Sequence, residues 1–143
     1  MTTHFRIRPA QASDAPAIAA LEQSCFSLPR LLPQIEREAE NFLVAEEDGA
    51  FLGYIDVQTV LDEGYIGNLA VCAEQRGRGF GRALLHSLLE RHRGTLSFLT
   101  LEVRESNAPA RRLYESEGFR VVAVRRGMYE KPREDGIIMN YEY

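Results

Sequence analysis

The sequence predicts an α/β protein whose mixed, mostly antiparallel twisted sheet has a central parallel strand pair and is flanked by helices. Three observations lead to this prediction. Segments with strand periodicity alternate with segments of helical periodicity along the 143 residues. Asp48-Gly49 separates two apolar runs and is a strong hairpin signal. Between Gly64 and Val103 the order is strand, helix, strand, which implies that the two strands are parallel.

The first half of the chain predicts one strand, two helices and three further strands. The segments are Phe5–Arg8 (strand), a helix ending near Cys25, a helix from Leu31 or Leu32 to Glu40, and strands at Asn41–Glu46, Ala50–Val57 and Gly64–Val71. We expect Ser13 to cap the first helix, since serine is a preferred N-cap residue and Pro16 is tolerated in a first turn.

The second half predicts two helices and three strands. The segments are a helix after a glycine-rich turn and ending near Gly94, a buried strand at Thr95–Val103, a helix from an Asn107 cap through Glu117, and strands at Phe119–Val124 and Gly136–Tyr141. We find no internal repeat or linker, and 143 residues can bury a real core without crosslinks. We therefore expect one domain over residues 1–143.

Composition excludes several classes of function. A formal net charge of −4 counts against a protein that coats nucleic acid. Cys25 and Cys72 lie far apart without zinc spacing, and the three histidines show no metal-ligand cluster, so we expect reduced cysteines and no metal. The first residues carry no apolar signal core, and no run approaches a membrane span. We expect a cytoplasmic protein, a monomer or weak dimer, without a nucleic-acid or membrane partner.

The most informative stretch is 68–85, where an apolar strand passes through a glycine-rich basic turn into an amphipathic helix. Its glycines let the backbone approach a ligand, and the new helix presents free N–H groups and a positive dipole end, which is typical of a pyrophosphate site. The glycines are Gly77, Gly79 and Gly81, and the arginines that add positive charge are Arg76, Arg78 and Arg82. An ordinary strand-to-helix turn with solubilising arginines is the alternative interpretation.

Two common nucleotide motifs do not fit this turn. A dinucleotide fingerprint would need glycine or alanine at Arg82 or Leu84, and no Gly-Lys-Ser or Gly-Lys-Thr of a Walker A loop occurs in the chain. The pattern that remains is Arg76-x-x-Gly79-x-Gly81, preceded by Gln75. It resembles the acetyl-CoA signature of the GNAT superfamily of N-acetyltransferases, in which the loop amides hold the pyrophosphate of the cofactor.

Two further segments strengthen this resemblance. Leu101–Phe119 contains Leu-Glu-Val-Arg-x-Ser-Asn followed by Leu-Tyr-Glu-Ser-x-Gly-Phe, and Arg133–Met139 reads Arg-Glu-Asp-Gly-Ile-Ile-Met. With Val60–Glu63, these segments are most similar to the bacterial ribosomal-protein-alanine N-acetyltransferases. The resemblance implies a GNAT fold and transfer of acetyl from acetyl-CoA directly to the N-terminal alanine α-amine of a small-subunit ribosomal protein.

The chemistry needs a base for the amine and an acid for the leaving thiolate. Glu102 is the candidate base, because it lies near the carboxyl end of the central strand, on the face of Phe98 and Thr100, and the resemblance gives it that role. Tyr114 is the candidate acid, since a phenol remains protonated at neutral pH. A strand-end carboxylate paired with Arg104 and a tyrosine that merely packs in the core are the alternatives.

The resemblance also assigns the residues that hold acetyl-CoA. Asn107 contacts the pantetheine arm, although it also suits a helix cap. The backbone of β-strand residues pairs with pantetheine like an added strand, and an amide there stabilises the oxyanion. The full set of cofactor-binding candidates is Leu69, Ala70, Val71, Arg76, Gly77, Arg78, Gly79, Phe80, Gly81, Arg82 and Asn107.

Substrate choice rests on fewer residues. Asp62 and Glu63 could form an acidic wall for a cationic N-terminus, although turns are often acidic for solubility alone. The family binds its peptide between the loops that here are Phe26–Leu32 and Arg125–Asp135, and relatives commonly carry Pro-Trp in the first; this chain has no tryptophan. The last loop also looks short. Another protein N-terminus, a lysine or a small amine are therefore alternative acceptors, and a non-catalytic acyl-CoA sensor is the alternative of another class.

Overall fold

The computed structural model describes residues 4–143, and its strands and helices follow the predicted order. The seven strands are β1 (Phe5–Pro9), β2 (Phe42–Glu47), β3 (Ala50–Val60), β4 (Glu63–Val71), β5 (Phe98–Arg104), β6 (Arg120–Tyr129) and β7 (Glu134–Glu142). The four α-helices are α1 (Ala15–Cys25), α2 (Leu32–Arg37), α3 (Phe80–Arg91) and α4 (Ala108–Ser116).

The strands form one sheet in the order β1-β2-β3-β4-β5-β7-β6. The β4–β5 pair is parallel over Glu63–Tyr65 and Phe98–Thr100, whereas β1–β2, β2–β3, β5–β7 and β6–β7 are antiparallel. The prediction of a mixed, mostly antiparallel sheet with a central parallel pair is therefore confirmed.

The chain divides into two compact units. The first consists of the described residues of Met1–Val57 together with Gly67–Arg91, and the second of Gln58–Ile66 and His92–Tyr143. The core of the first unit packs α1 and α2 on the strands through Ala15, Ile18, Leu21, Ile35, Phe42, Val44, Tyr54 and Ala70. In the second unit, the Phe119 ring lies 5.7 Å from that of Tyr114 and 5.5 Å from that of Tyr141.

The start of α1 differs from the prediction. Ser13 lies inside a short 3₁₀ turn, Ala12–Asp14, and is not the helix cap. Asp14 precedes α1, and its carboxylate accepts the Gln11 backbone N–H at 2.7 Å while forming a bidentate ion pair with Arg8. The two carboxylate oxygens of Asp14 accept hydrogen bonds from both Arg8 and Gln11, whereas a serine hydroxyl has a single oxygen. Asp14 therefore stabilises the start of α1.

Several element boundaries also differ. Helix α2 is only six residues long, and the chain to Asn41 closes in a 3₁₀ turn rather than continuing the helix. Strand β5 begins at Phe98, because residues 92–97 form a turn after α3. Most of the expected loop Arg125–Asp135 is strand, since β6 runs to Tyr129 and β7 starts at Glu134. The connection between the last strands is thus a short hairpin turn, as the sequence suggested.

A buried ionic cluster holds the loop that follows α1. The Arg30 guanidinium donates to the carboxylates of Glu22 and Asp56, which are 0% and 2% exposed. The Tyr54 hydroxyl donates to Glu22 at 2.6 Å, and Asn68 donates its side-chain N–H to Glu22 and its backbone N–H to Asp56. Burial opposes ionisation of Glu22, but hydrogen bonds, first among them those from Arg30, hold the pKa of this carboxyl below its ordinary value.

Gly67 makes room for this cluster. A Cβ atom added at Gly67 would collide with the carboxylate of Asp56. Because both Asp56 oxygens are already bonded to Arg30, the carboxylate has little freedom to move aside. Position 67 therefore needs glycine for space rather than for an unusual backbone angle.

Candidate active site

The glycine-rich turn lies in the first unit, between β4 and α3. After a 3₁₀ turn at Ala73–Gln75, Gly77 and Gly79 adopt φ values of +82° and +88°, in the left-handed region that favours glycine. A Cβ added at either position would have no heavy atom within 4 Å, so the surface above these two residues is open. The first amides of the 12-residue α3 follow directly, and such amides lack partners within their own helix. The geometry fits an anionic group.

The arginines of this segment already have partners within the protein. Arg76 donates to the Val71 carbonyl at 3.1 Å and to the Cys25 sulfur at 3.4 Å. Arg78 pairs with Glu47 at 3.1 Å, and its guanidinium lies 4.7 Å from the centre of the Phe80 ring. Arg82 is exposed in the first turn of α3. The side chains of Arg76 and Arg78 would have to exchange these partners to meet a phosphate.

Phe80 and Gly81 open α3 and contribute in different ways. The Phe80 side chain is buried and stacks on Phe5 at 5.2 Å between ring centres, so it anchors the start of the helix. Gly81 lies within the first turn. Because the Phe80 side chain is buried and glycine has none, the backbone amides are the groups of these two residues that can bind an anion.

Leu69, Ala70 and Val71 are the last three residues of β4. The parallel ladder with β5 uses only Glu63–Tyr65, so it does not engage their backbone groups. Ala70 belongs to the core of the first unit, and its carbonyl lies so close to Gly53 that a side chain at Gly53 would collide with it. The packing of Ala70 against the core and against Gly53 therefore holds this part of β4 in place.

Glu102 lies in the second unit, on the more exposed face of β5. Its side chain is 45% exposed, and the neighbouring residues Leu101 and Val103 are buried, as the alternation predicted. Its nearest cation is Arg125 of β6, at 3.8 Å, whereas Arg104 pairs with Glu134. The alternative that Glu102 is paired with Arg104 is therefore wrong.

Tyr114 is buried at the centre of the second unit. It is 9% exposed and packs on Phe119, so the side chain does contribute to the core. Burial, with a smaller contribution from Tyr129, raises the pKa of Tyr114 to about 12. The hydroxyl consequently keeps its proton throughout the neutral and mildly alkaline range, as an acid in this position requires.

Asn107 caps α4, as predicted. Its side-chain oxygen accepts the Ala110 N–H at 3.3 Å. Among the residues that the structure describes, the side-chain nitrogen of Asn107 makes no hydrogen bond, so this amide has a donor left for a ligand. The capping and ligand-binding roles are compatible.

Asp62 lies in the turn before β4, and Glu63 is the first residue of that strand. The Asp62 carboxylate accepts from the Ser97 hydroxyl at 2.6 Å, and its carbonyl accepts the Ser97 N–H at 2.7 Å. Glu63 is part of the ladder with β5 and accepts a long hydrogen bond of 3.4 Å from Tyr65. Asp62 thus fastens the turn to the segment before β5.

Sequence reasoning missed Tyr129, the last residue of β6. Burial, together with the charge of Glu102, raises the pKa of Tyr129, and Tyr129 in turn affects the pKa of Tyr114. The guanidinium carbon of Arg104 lies 4.4 Å from the centre of its ring. Glu102, Tyr114 and Tyr129 therefore belong to one electrostatic group. The available signal was Gly127-Met128-Tyr129, an apolar continuation of β6 that we interpreted as loop.

Within residues 4–143, no group of three or more histidine, cysteine or acidic side chains is arranged to hold a metal ion. Over the same range, no helix combines the length and apolar character needed to cross a bilayer.

Comparison with known proteins gives matches over most of the chain. The profile of the Acetyltransferase (GNAT) family matches residues 8–119. The [ribosomal protein bS18]-alanine N-acetyltransferase of Escherichia coli K12 is 36% identical over 135 residues, which are 90% of this chain and 91% of that protein.

Solved structures agree with the sequence comparison. The crystal structure of the ribosomal-protein-S18-alanine N-acetyltransferase from Escherichia coli superposes with a TM-score of 0.88 at 34% identity, covering 97% of this chain and 94% of the other. The Arabidopsis thaliana NAA60 structure in complex with acetyl-CoA has the same TM-score at 21% identity, with 98% and 100% covered, which shows a shared fold.

Proposed function

Because the chain belongs to the Acetyltransferase (GNAT) family, we propose that it transfers acetyl from acetyl-CoA directly to the N-terminal alanine α-amine of a small-subunit ribosomal protein. The observation that carries this proposal is the 36% identity over 90% of the chain with an enzyme named for that reaction. The family match runs through residues of both compact units, so we also propose that residues 1–143 act as one acetyltransferase domain.

The glycine-rich turn of the first unit contains most of the residues proposed to bind acetyl-CoA. Gly77, Gly79 and the α3 amides bind the pyrophosphate, because open glycines and a helix N-terminus suit an anion. Arg76, Arg78 and Arg82 add positive charge once their side chains exchange their present partners for the ligand. The backbone of Leu69, Ala70 and Val71 is proposed to pair with the pantetheine arm like an added strand. Asn107, which keeps a spare amide donor, is also proposed to bind pantetheine.

Glu102 is the proposed base. An α-amine has an ordinary pKa near 7.7–8.0, so Glu102, directly or through a water, removes a weakly held proton. The neutral nitrogen then forms a bond to the thioester carbonyl carbon, and a β4 backbone amide stabilises the oxyanion. The exposed position of Glu102 leaves room for an incoming amine beside it.

Tyr114 is the proposed acid. As the carbon–sulfur bond breaks, its hydroxyl donates to the sulfur, and the second nitrogen proton leaves through Glu102 and solvent. In total the ammonium nitrogen loses two protons and the thiolate gains one, so one proton is released to solvent. Tyr114 regains its proton from solvent and Glu102 gives up the protons that it took, and both residues return to their starting states. The raised pKa of Tyr114 favours a hydroxyl that is protonated when the reaction starts.

Asp62 and Glu63 are proposed to attract the positively charged acceptor. Asp62 keeps one carboxylate oxygen beyond its bond to Ser97, and a carboxylate accepts several hydrogen bonds. A ribosomal acceptor also implies a cytoplasmic enzyme, and we keep the expectation of a monomer or weak dimer that uses no metal and contacts neither nucleic acid nor membrane.

The test is thiol release from acetyl-CoA with peptides that begin with alanine, serine or methionine and with an internal-lysine control, followed by mass spectrometry to locate the acetyl group. We expect selective α-amine acetylation of the alanine peptide. Modification of lysine alone, or of small amines alone, would refute the proposed acceptor.

The proposed roles are tested with Glu102→Gln and Tyr114→Phe. We expect each to lower kcat at least 100-fold, which is within the range for general acid–base catalysis, while the Kd for acetyl-CoA stays within about twofold. Glu115→Gln is a matched control, since Glu115 is an exposed carboxylate on α4. Equal loss of turnover in this control, or full turnover in Glu102→Gln, would contradict the assignment.

A further inference from the structure

Arg104 ties the hairpin between the last two strands to the end of β5. Its guanidinium donates to the carbonyls of Pro132 at 3.0 Å and Glu130 at 3.2 Å, and it pairs with Glu134 at 3.3 Å. The same group lies over the ring of Tyr129. One side chain thus contacts the hairpin turn, the residue before it and the residue after it.

Glu134 adds a second connection between the hairpin and the segment after β5. Its carboxylate accepts the Ser106 backbone N–H at 3.0 Å and the Ser106 hydroxyl at 2.8 Å, in addition to the Arg104 pair. The hydrogen bonds from Ser106 hold the pKa of Glu134 below its ordinary value. We call Arg104, Ser106 and Glu134 the hairpin clasp. Ser106 directly precedes Asn107, so the clasp also lies beside the start of α4.

The clasp lies next to the proposed base. Glu102 and Arg104 are two residues apart on β5, so their side chains leave the same face of the strand. Tyr129, beneath Arg104, is close enough to Glu102 for the charge of Glu102 to affect its pKa. Movement of the hairpin would therefore change the surroundings of Glu102.

We propose that Arg104 is a positioning residue for acetyl transfer, which holds the hairpin and Tyr129 at one fixed place beside Glu102 so that the acceptor amine meets a preformed wall. This inference rests on the proposed function, because it takes Glu102 as the base. Arginine is required because its planar fork reaches two carbonyls and stacks on a ring at the same time, whereas a lysine ammonium offers a point charge. The clasp is therefore a geometric device more than an electrostatic one.

The kinetic test compares Arg104→Gln and Arg104→Lys with Arg120→Gln as matched control, since Arg120 is an exposed arginine at the far end of β6. We expect Arg104→Gln to lower kcat/KM for the acceptor about 10- to 100-fold, because small misplacements near a reacting group have effects of this size. The KM for acetyl-CoA should change less than about twofold. The kcat/KM of Arg104→Lys for the acceptor should be closer to that of Arg104→Gln than to that of the wild type.

An activity-independent measurement tests the clasp itself. Hydrogen exchange followed by mass spectrometry should show faster exchange of peptides covering 127–134 in Arg104→Gln, with unchanged exchange in α1 and β2. Unchanged exchange in the hairpin would overturn the clasp. Faster exchange with unaltered acceptor kinetics, or a loss shared with Arg120→Gln, would overturn the positioning role.

The kinetic and hydrogen-exchange experiments also distinguish a failure of this inference from a failure of the proposed function. If the wild type acetylates another amine in preference to the alanine peptide, the proposed acceptor fails, and the variants are then compared on the amine that reacts. If Glu102→Gln keeps full turnover while Arg104→Gln loses it, the assignment of the base fails and the positioning through Glu102 fails with it.

Discussion

Arg30 and Arg104 each fasten a loop, but their partners lie in different surroundings. Arg30 neutralises two carboxylates that are almost fully buried, Glu22 and Asp56. Arg104 contacts backbone carbonyls, an aromatic ring and a carboxylate near the surface. Buried carboxylates without a cation are strongly destabilising, whereas carbonyls at a surface can bond to water. The comparison indicates that Arg30 serves stability and that Arg104 serves position.

The largest expected effect is on the Arg30 cluster. Arg30→Met should reduce the free energy of unfolding by about 3–5 kcal/mol, because it leaves two buried charges uncompensated. Arg104→Met should have only a small fraction of this effect while it impairs acceptor kinetics. Urea denaturation of both variants checks the difference. Equal stability losses would remove the distinction between the two arginines.

A smaller loss is expected from Tyr54→Phe. The Tyr54 hydroxyl donates to the charged Glu22 in a fully buried position, and such bonds contribute about 1.5–3 kcal/mol. The counterpart in the clasp is Ser106→Ala, which removes the hydroxyl bond from the exposed Ser106 to Glu134 but leaves the Ser106 backbone N–H bond in place, so it should hardly change the unfolding midpoint. A larger shift for Ser106→Ala than for Tyr54→Phe would reverse the comparison.

Acid sharpens the comparison further. The pKa of Glu22 is lowered in the folded state, so its stabilisation is fully present above the ordinary value of 4.5 and is lost as the pH falls through the folded value. Glu22→Gln should therefore be less stable than wild type at pH 7 but should lose less stability between pH 5 and 3. Unfolding midpoints at several pH values measure how the stability of wild type and of Glu22→Gln changes with pH. Glu115→Gln, at an exposed carboxylate, is the control. Parallel slopes for wild type and Glu22→Gln would show that this carboxylate is not a source of the acid sensitivity.

Salt should produce the smallest effect. Charges near the surface are screened at high ionic strength, and buried pairs are screened much less. Raising sodium chloride from 0.1 to 1 M should leave the stability difference between wild type and Arg30→Met nearly unchanged. If the clasp acts mainly through geometry, the kinetic difference between wild type and Arg104→Gln should also persist. Its disappearance in salt would mean that the pair of Arg104 with Glu134 acts through charge.

Local patterns predicted most of the fold. Strand alternation around Glu102, the Asn107 cap and the glycine-rich turn depend on residues close in sequence, and the structure contains all three. The start of α1 was mispredicted because Ser13 and Asp14 are both good capping residues, and the choice depends on Arg8, which belongs to another element.

The two arginine sites could not be predicted in this way. Arg30 and Asp56 are 26 residues apart, and Arg104 and Pro132 are 28 apart, so no periodicity links them. Glu22 does lie on the apolar face of α1. A carboxylate on such a face indicates that a positively charged partner is buried beside it, but the sequence alone did not identify Arg30 as that partner. Tyr129 was missed because the predicted strand ended at Val124 and the predicted loop, Arg125–Asp135, included the last residues of β6.

Gly67 and Asp56 restrict how this chain can diverge over generations. Since the Asp56 carboxylate fills the space where a side chain at position 67 would lie, no larger residue can be accepted at 67 until 56 has become smaller. A smaller residue at 56 in turn leaves Arg30 with Glu22 as its principal counter-ion. Descendants should therefore keep the glycine and the aspartate together, or replace the aspartate before the glycine, so that the two positions are inherited as a pair.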